Sequence, residues 1–261
     1  MRPHIRDVSP YQFPQFLDDL LAGLHMPARK IGPSSYTNTG YIPNSKGNRV
    51  QRAESLLEQQ FLMLLDYDNR VRGYQVQPFK IRWKAPNGRW REFTPDVVVS
   101  YTADAQAAEP WLKPTVFEVK TRKELSAKWD DLRPKFRAAV AWAKMYGCRF
   151  KIITETEIRT PYLTNVQHFM HFRSFRLGEH PDAGRMQKLL LEALHEEKKA
   201  TPRGVLECIS SNKRDQAELI PWLWNLVTLE MVGADLTQPF NMGSPIWITD
   251  RGVVALGVMQ Q

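Results

Sequence analysis

Thr94-Pro95-Asp96-Val97-Val98-Val99, followed after one connection by Val116-Phe117-Glu118-Val119-Lys120, decides how this 261-residue chain folds. Both segments have the β-branched, apolar character of buried strands, and they read as two strands joined by a long hairpin. Side chains alternate along a strand, so Glu118 and Lys120 point one way while Phe117 and Val119 point the other. Three ionisable groups are thereby carried to one apolar sheet, where an unpaired carboxylate costs several kcal/mol or takes up a proton. A hard divalent cation such as Mg²⁺ makes such a cluster tolerable, because it takes carboxylate and carbonyl oxygens. Asp96, an upstream Glu and the Glu118 or Val119 position would hold it, with Lys120 beside it as a point charge. The bland alternative is a structural Asp at a strand end and a surface Glu/Lys pair on an edge strand.

Upstream, Glu54 to Asp68 reads ESLLEQQFLMLLDYD, with Leu57, Phe61, Leu64 and Leu65 on one face of a helix. Glu58 lies at the edge of that face. A helix carboxylate, a strand Asp and a strand ExK, in that order, is a rarer combination than any one of them.

Together with Ser55-Leu56-Leu57-Glu58, Leu64-Leu65-Asp66-Tyr67-Asp68, Val71 and Gln77-Pro78, these motifs resemble the PD-(D/E)xK nuclease superfamily. Within it they resemble the TnsA endonucleases of Tn7-like transposons, over residues 41 to 178. The resemblance implies a catalytic set of Glu58, Asp96 and Lys120, with Mg²⁺ (Mn²⁺ substituting) held by Glu58, Asp96, Glu118 and the Val119 carbonyl. Some relatives carry Gln at the Glu118 position. The implied substrate is double-stranded DNA at transposon ends, cut on the 5′ strands in concert with a TnsB-type transposase and a TnsC-type AAA+ regulator.

Charge agrees with a DNA partner. The net charge is +8, and residues 1–178 hold 28 Lys and Arg against 17 Asp and Glu, while residues 179–261 hold 8 against 11. The first part has the footprint of a phosphate-backbone binder and the tail does not. Candidate DNA contacts are Lys46, Arg49 and Arg52 on a polar segment that reads as a basic arm or a linker. Gln77 joins them, as do Arg122, Lys123 and Lys128 just past the ExK strand. The opening MRPHIRDVSP has no signal-peptide core and no stretch is long and apolar enough for a membrane span, so a cytoplasmic, DNA-associated protein is expected. Cys148 and Cys208 have no metal spacing and read as reduced thiols, and His168 and His171 read as packed or surface histidines.

The expected fold class is α/β: a restriction-endonuclease-like core, a mixed sheet flanked by helices, with a C-terminal winged-helix domain. Residues 1–53 read as a helix, broken at Pro14, plus the arm; 54–178 as the nuclease domain; 179–261 as the winged helix. In the core, residues 74–83 read as one strand interrupted at Pro78, 90–101 as another, 103–114 as a loop and 128–146 as a helix. That last helix buries Trp129, Leu132, Phe136, Ala139, Val140 and Ala143, and ends at Gly147. A following strand, 149–154, is expected parallel to its neighbour. In the tail, a third helix closed by Gly233 carries Ile220, Trp222, Leu223, Trp224, Leu226 and Val227, either for docking a partner or simply as core. It lacks base-reading side chains. Two other classes fit less well: a stand-alone restriction or repair nuclease, and a non-catalytic winged-helix DNA-binding protein.

Overall fold

A computed structural model of the chain describes residues 8–25, 28, 40–42, 46, 51–173, 181–197 and 199–259. Arg49 and much of the expected basic arm lie outside the described residues. The chain divides into two compact units, Met1–Arg159 and Thr160–Gln261. Among the described residues no helix is long and apolar enough to cross a membrane.

The first unit is built on a four-stranded sheet ordered β3 (Val71–Val76), β6 (Val97–Tyr101), β7 (Thr115–Val119) and β8 (Arg149–Ile153). β3 pairs antiparallel with β6 and β6 antiparallel with β7, while β7 and β8 are parallel. That switch follows from the connection: between β7 and β8 lies the long helix α4 (Arg122–Met145), a crossover of the kind parallel pairing requires. Val97, Val98 and Val99 are 0–1 % exposed, so the central strand is covered on both faces. On one face Val98 and Val116 pack with Phe13, Phe16, Leu17 and Leu20 of α1 (Phe13–Leu21) and with Ala143 of α4. On the other, Phe61 of α2 (Leu56–Tyr67) meets Phe117 edge-on at 4.9 Å.

Several expectations are corrected. Pro14 does not break α1: it sits in the first turn, where its missing N–H costs nothing. The expected strand 74–83 is two strands, β3 and β4 (Ile81–Lys84), and 90–101 is likewise β5 (Trp90–Phe93) and β6. The breaks coincide at Gln77-Pro78 and Thr94-Pro95. Prolines on both chains at the same level remove donors that a continuing ladder needs. β4 and β5 therefore form their own antiparallel hairpin, closed by the expected turn, in which Gly88 takes φ +78°. The expected loop 103–114 contains a short helix, α3 (Ala103–Ala108), capped by Thr102. Helix α4 begins at Arg122, capped by Thr121, and not at the expected Lys128, where the helix is only kinked. Of its expected buried stripe, Phe136, Ala139 and Ala143 are buried, but Trp129 and Val140 are exposed. Gly147 ends it at φ +68°, as expected. Next to α2, the strands β1 (Gly40–Ile42) and β2 (Gln51–Ala53) pair within the expected arm. A four-residue helix, α5 (Glu155–Ile158), ends the unit.

In the second unit, α7 (Ala183–Glu197), α8 (Pro202–Ile209) and α9 (Lys213–Thr228) precede an antiparallel hairpin of β9 (Val232–Ala234) and β10 (Ile246–Ile248). Ala200 bridges to Ile246. Two further helices join them: α6 (Pro161–Arg173), which packs against α9, and α10 (Asp250–Met259). The contacts thus place α6 with the second unit, where the sequence alone suggested a boundary at residue 178. Thr201 caps α8 through Gly204 N–H, as its position predicts. Gly233 does not close α9: the helix stops at Thr228, with Glu230 at φ +57°, and Gly233 lies in β9. Trp222, Leu223, Trp224, Leu226 and Val227 are all buried, because α9 is the helix around which α6, α7 and α8 pack. These five are core, the second of the two readings weighed for this stretch, while Ile220 is only half-buried. Inside that core Gln187 donates to Asn225 at 2.8 Å and Asn225 donates to the Phe172 carbonyl.

Gly252 tests this packing. A Cβ there would overlap the Met231 carbonyl oxygen, a backbone atom that cannot step aside, whereas one at Gly257 meets nothing. Gly252→Ala should lower unfolding free energy by about 2 kcal/mol in urea titrations. Gly257→Ala, on the same helix, should be neutral or raise it by about 0.5–1 kcal/mol.

Candidate active site

The strand pair places three charged side chains at one end of the sheet. Asp96 immediately precedes β6 and is fixed there by backbone bonds: its N–H donates to Phe117 O at 3.1 Å and its carbonyl accepts from Gln77 N–H at 2.8 Å. Its carboxylate accepts from Val119 N–H at 2.7 Å. Asp96 shares side-chain parity with Val98, and Glu118 with Val116, so both face the α4 side of the sheet. Lys120 Nζ stands between them, 3.5 Å from Asp96 Oδ2 and 3.4 Å from Glu118 Oε1, and donates to Val119 O at 3.0 Å. Asp96, Glu118, Val119 and Lys120 are therefore brought together as expected.

The electrostatics follow from burial. The Asp96 carboxyl is pushed up to about 7, first by desolvation and then by the nearby Glu118 carboxylate, with Glu58 adding to the effect and Lys120 opposing it. Burial works to lower Lys120, but Asp96 and Glu118 outweigh it and hold the ammonium above its ordinary value. Glu118 is 3 % exposed. Its Oε2 is buried without a hydrogen-bond partner.

Glu58 comes from α2, which packs on the opposite face. It lies close enough to be sensed by Lys120 and Asp96, and desolvation raises its carboxyl. Both its oxygens are nevertheless engaged at its own helix end: Oε2 accepts from Glu54 N–H at 2.9 Å and Oε1 from Ser55 Oγ at 3.1 Å. Ser55 Oγ in turn accepts from Glu58 N–H, a reciprocal cap. The bland reading of Glu58 as a helix-end carboxylate thus describes its present contacts.

The donors suit a hard cation in kind: two carboxylates and a backbone carbonyl, all oxygen, with one Glu118 oxygen orphaned and the Asp96 carboxyl desolvated. Asp96, Glu118 and Val119 fit such an ion, and Glu58 joins them only by releasing its cap. Among the described residues no group of three His, Cys, Asp or Glu side chains is close enough to ligate by itself. His168 is instead packed against Phe169, Phe172 and Trp224. Cys148 is buried, its thiol pushed up to about 12 by desolvation, and is no nucleophile.

The structure adds Lys135, which is not among the expected site residues. Its Nζ lies 2.7 Å from Glu118 Oε1 and over the Phe93 and Phe136 rings. The signal was available: Lys135 follows Leu132 by three residues and precedes Phe136, on the buried stripe of α4.

The expected DNA contacts scatter. Arg122 and Lys123 are exposed at the start of α4, and Lys128 is exposed and paired with Glu124 at 3.8 Å. Arg122 N–H donates to the Glu155 carboxylate, tying that helix start to α5. Two others are engaged within the fold. Gln77 is 5 % exposed, held at φ +42° where its backbone braces Asp96. Lys46 donates to the Leu65 and Asp68 carbonyls, capping the end of α2. Arg52 lies in β2, paired with Tyr41; its side chain is outside the described residues.

A mixed sheet that sets an Asp beside an ExK strand, with helices on both faces, fits the core of a PD-(D/E)xK nuclease. The family model for TnsA-like endonuclease N-terminal domains matches residues 68–155. The match takes in Asp96, Glu118, Lys120 and Lys135 and begins after Glu58, so over that segment the chain is similar to TnsA-like endonuclease domains. No curated protein matches the chain.

Proposed function

We propose that this protein is the metal-dependent endonuclease of a Tn7-like transposition system, cutting the 5′ strand at each transposon end in concert with a TnsB-type transposase and a TnsC-type AAA+ regulator. The observation that carries the reading is the convergence of Asp96, Glu118 and Lys120 within a TnsA-like segment. Asp96, Glu118 and the Val119 carbonyl would hold Mg²⁺, with Glu58 joining when its cap opens. Bound there, the metal supplies Lewis acidity and a water of lowered pKa.

The protein's own groups divide the remaining work. Val119 N–H locks the rotamer of Asp96, and Lys135 holds Glu118 in place. Lys120 is the charge that offsets negative charge developing on the phosphate, and its burial strengthens that interaction. Arg122 and Lys123 offer backbone phosphate contacts beside the site. The second unit, of winged-helix type, buries the aromatic half of α9 in its core, and we take it as a scaffold and not as a base reader; end selection then rests with the transposase.

The test is strand-specific nicking of a labelled transposon-end duplex in Mg²⁺, omitting transposase and regulator in turn. Cutting of the 5′ strand only when the partners are present is the expected result. Cutting by the isolated protein at sites unrelated to the ends would instead make it a stand-alone nuclease.

A further inference from the structure

The β4–β5 hairpin is absorbed neither by the sheet nor by the active site. Its inner face, Ile81 and Trp83 with Phe93, is wholly or partly buried against the core, with α4 packed on β4. Its outer face and tip are exposed. Residues 80–93 carry Lys80, Arg82, Lys84, Arg89 and Arg91 against a single carboxylate, Glu92, which Lys80 engages at 3.2 Å. Among the described residues no carboxylate forms an ion pair with Arg82, Lys84, Arg89 or Arg91.

Such a density of unpaired cations repels itself, so a fold that keeps it ordered has a use for the field. The outer face is also structured. The Arg82 guanidinium stacks over the Trp90 ring at 4.4 Å, and Trp90 itself is 59 % exposed. Stacking fixes the plane of the guanidinium while leaving its N–H edge to solvent, the orientation suited to a phosphate oxygen or a guanine edge.

Placement supplies the second strand of support. β5 runs through Thr94-Pro95 straight into Asp96, and Phe93 at its base lies under Lys135, which holds Glu118. From Trp90 to Asp96 the chain spans at most roughly 20 Å at about 3.3 Å per residue. A duplex lying in the active site therefore passes within reach of the hairpin. A two-stranded ribbon is also one of the two elements that fit the major groove.

We infer that the Ile81–Phe93 hairpin is a DNA-binding ribbon, gripping duplex next to the scissile phosphate through Arg82, Lys84 and Arg89. This rests on the nuclease reading for the identity of the partner, but its test does not depend on cleavage. Binding of the full chain to a labelled duplex is followed by fluorescence anisotropy in EDTA, over about 50 to 200 mM salt. Wild type is compared with Arg82→Ala/Lys84→Ala/Arg89→Ala and with Arg185→Ala/Lys213→Ala/Arg214→Ala. The second triple removes equally exposed cations from the other unit, so net charge falls equally.

The hairpin triple should bind about 10²-fold more weakly, with a log–log salt slope shallower by about 2 to 3, because roughly 0.9 is lost per phosphate contact. The control triple should stay within about threefold of wild type. The inference is overturned if the hairpin triple binds like wild type, if both triples weaken alike, or if wild type shows no salt-dependent binding at the low end of the range. Failure of the nuclease reading registers elsewhere, as absence of nicking in Mg²⁺ with binding intact.

Discussion

Asp96→Asn should leave the metal-free protein more stable than wild type at about pH 8, while removing its nicking activity. The Asp96 carboxyl is raised from 3.8 to about 7 in the folded state by desolvation, Glu118 and Glu58. Between those two values the folded protein binds more protons than the unfolded chain, so stability falls as pH rises through the interval and levels off above it. Asparagine removes that liability and still offers an oxygen to Val119 N–H, and Lys120 keeps Glu118 at 3.4 Å. The variant's advantage should be absent near pH 4, grow through pH 7, and amount to a few kcal/mol, since a tenfold change in proton affinity corresponds to about 1.4 kcal/mol. Added Mg²⁺ should raise the melting temperature of wild type and not of Asp96→Asn. Parallel stability curves for the two proteins from pH 4 to 8 would mean that Asp96 is not a desolvated carboxylate.

Lys120→Ala has the opposite signature. It strips the shared ammonium from Asp96 and Glu118 and leaves Glu118 with Lys135 alone. Removing one partner of a buried pair costs about 3–5 kcal/mol, and the loss should appear as a lower urea midpoint. Nicking should fall about 10²–10³-fold, the usual effect of deleting one group that stabilises developing charge. Mg²⁺ restores positive charge, so it should recover part of the lost stability without recovering the rate. Lys120→Arg should not rescue, because a planar fork does not replace a compact ammonium wedged between two carboxylates. Nicking within a few-fold of wild type in Lys120→Ala would remove Lys120 from the reaction.

How much of this was legible follows from the range of each signal. Asp96, Glu118 and Lys120 were found because strand periodicity is local: parity alone puts 118 and 120 together, and the apolar runs around them identify the strands. The β7–α4–β8 crossover was legible for the same reason. Glu58 was located on its helix, but the cap that engages it depends on where Ser55 ends the extended chain, which the apolar stripe does not specify. Strand breaks at Pro78 and Pro95 were individually visible; that they stand opposite one another, and so split off a hairpin, required the register. The place of Lys135 on the α4 stripe was visible, but its partner Glu118 was not, because that residue lies in another element. For Trp222 and Trp224 docking and core were equally compatible with the sequence, and only the packing of α6 and α7 around α9 distinguishes them.

The most direct test of the active site is nicking of a labelled transposon-end duplex in Mg²⁺ with all partners present, by wild type and Asp96→Asn side by side. The expected result is a 5′-strand nick from wild type and none from the variant, at equal DNA binding. Equal nicking by both proteins would show that the chemistry lies elsewhere in the assembly.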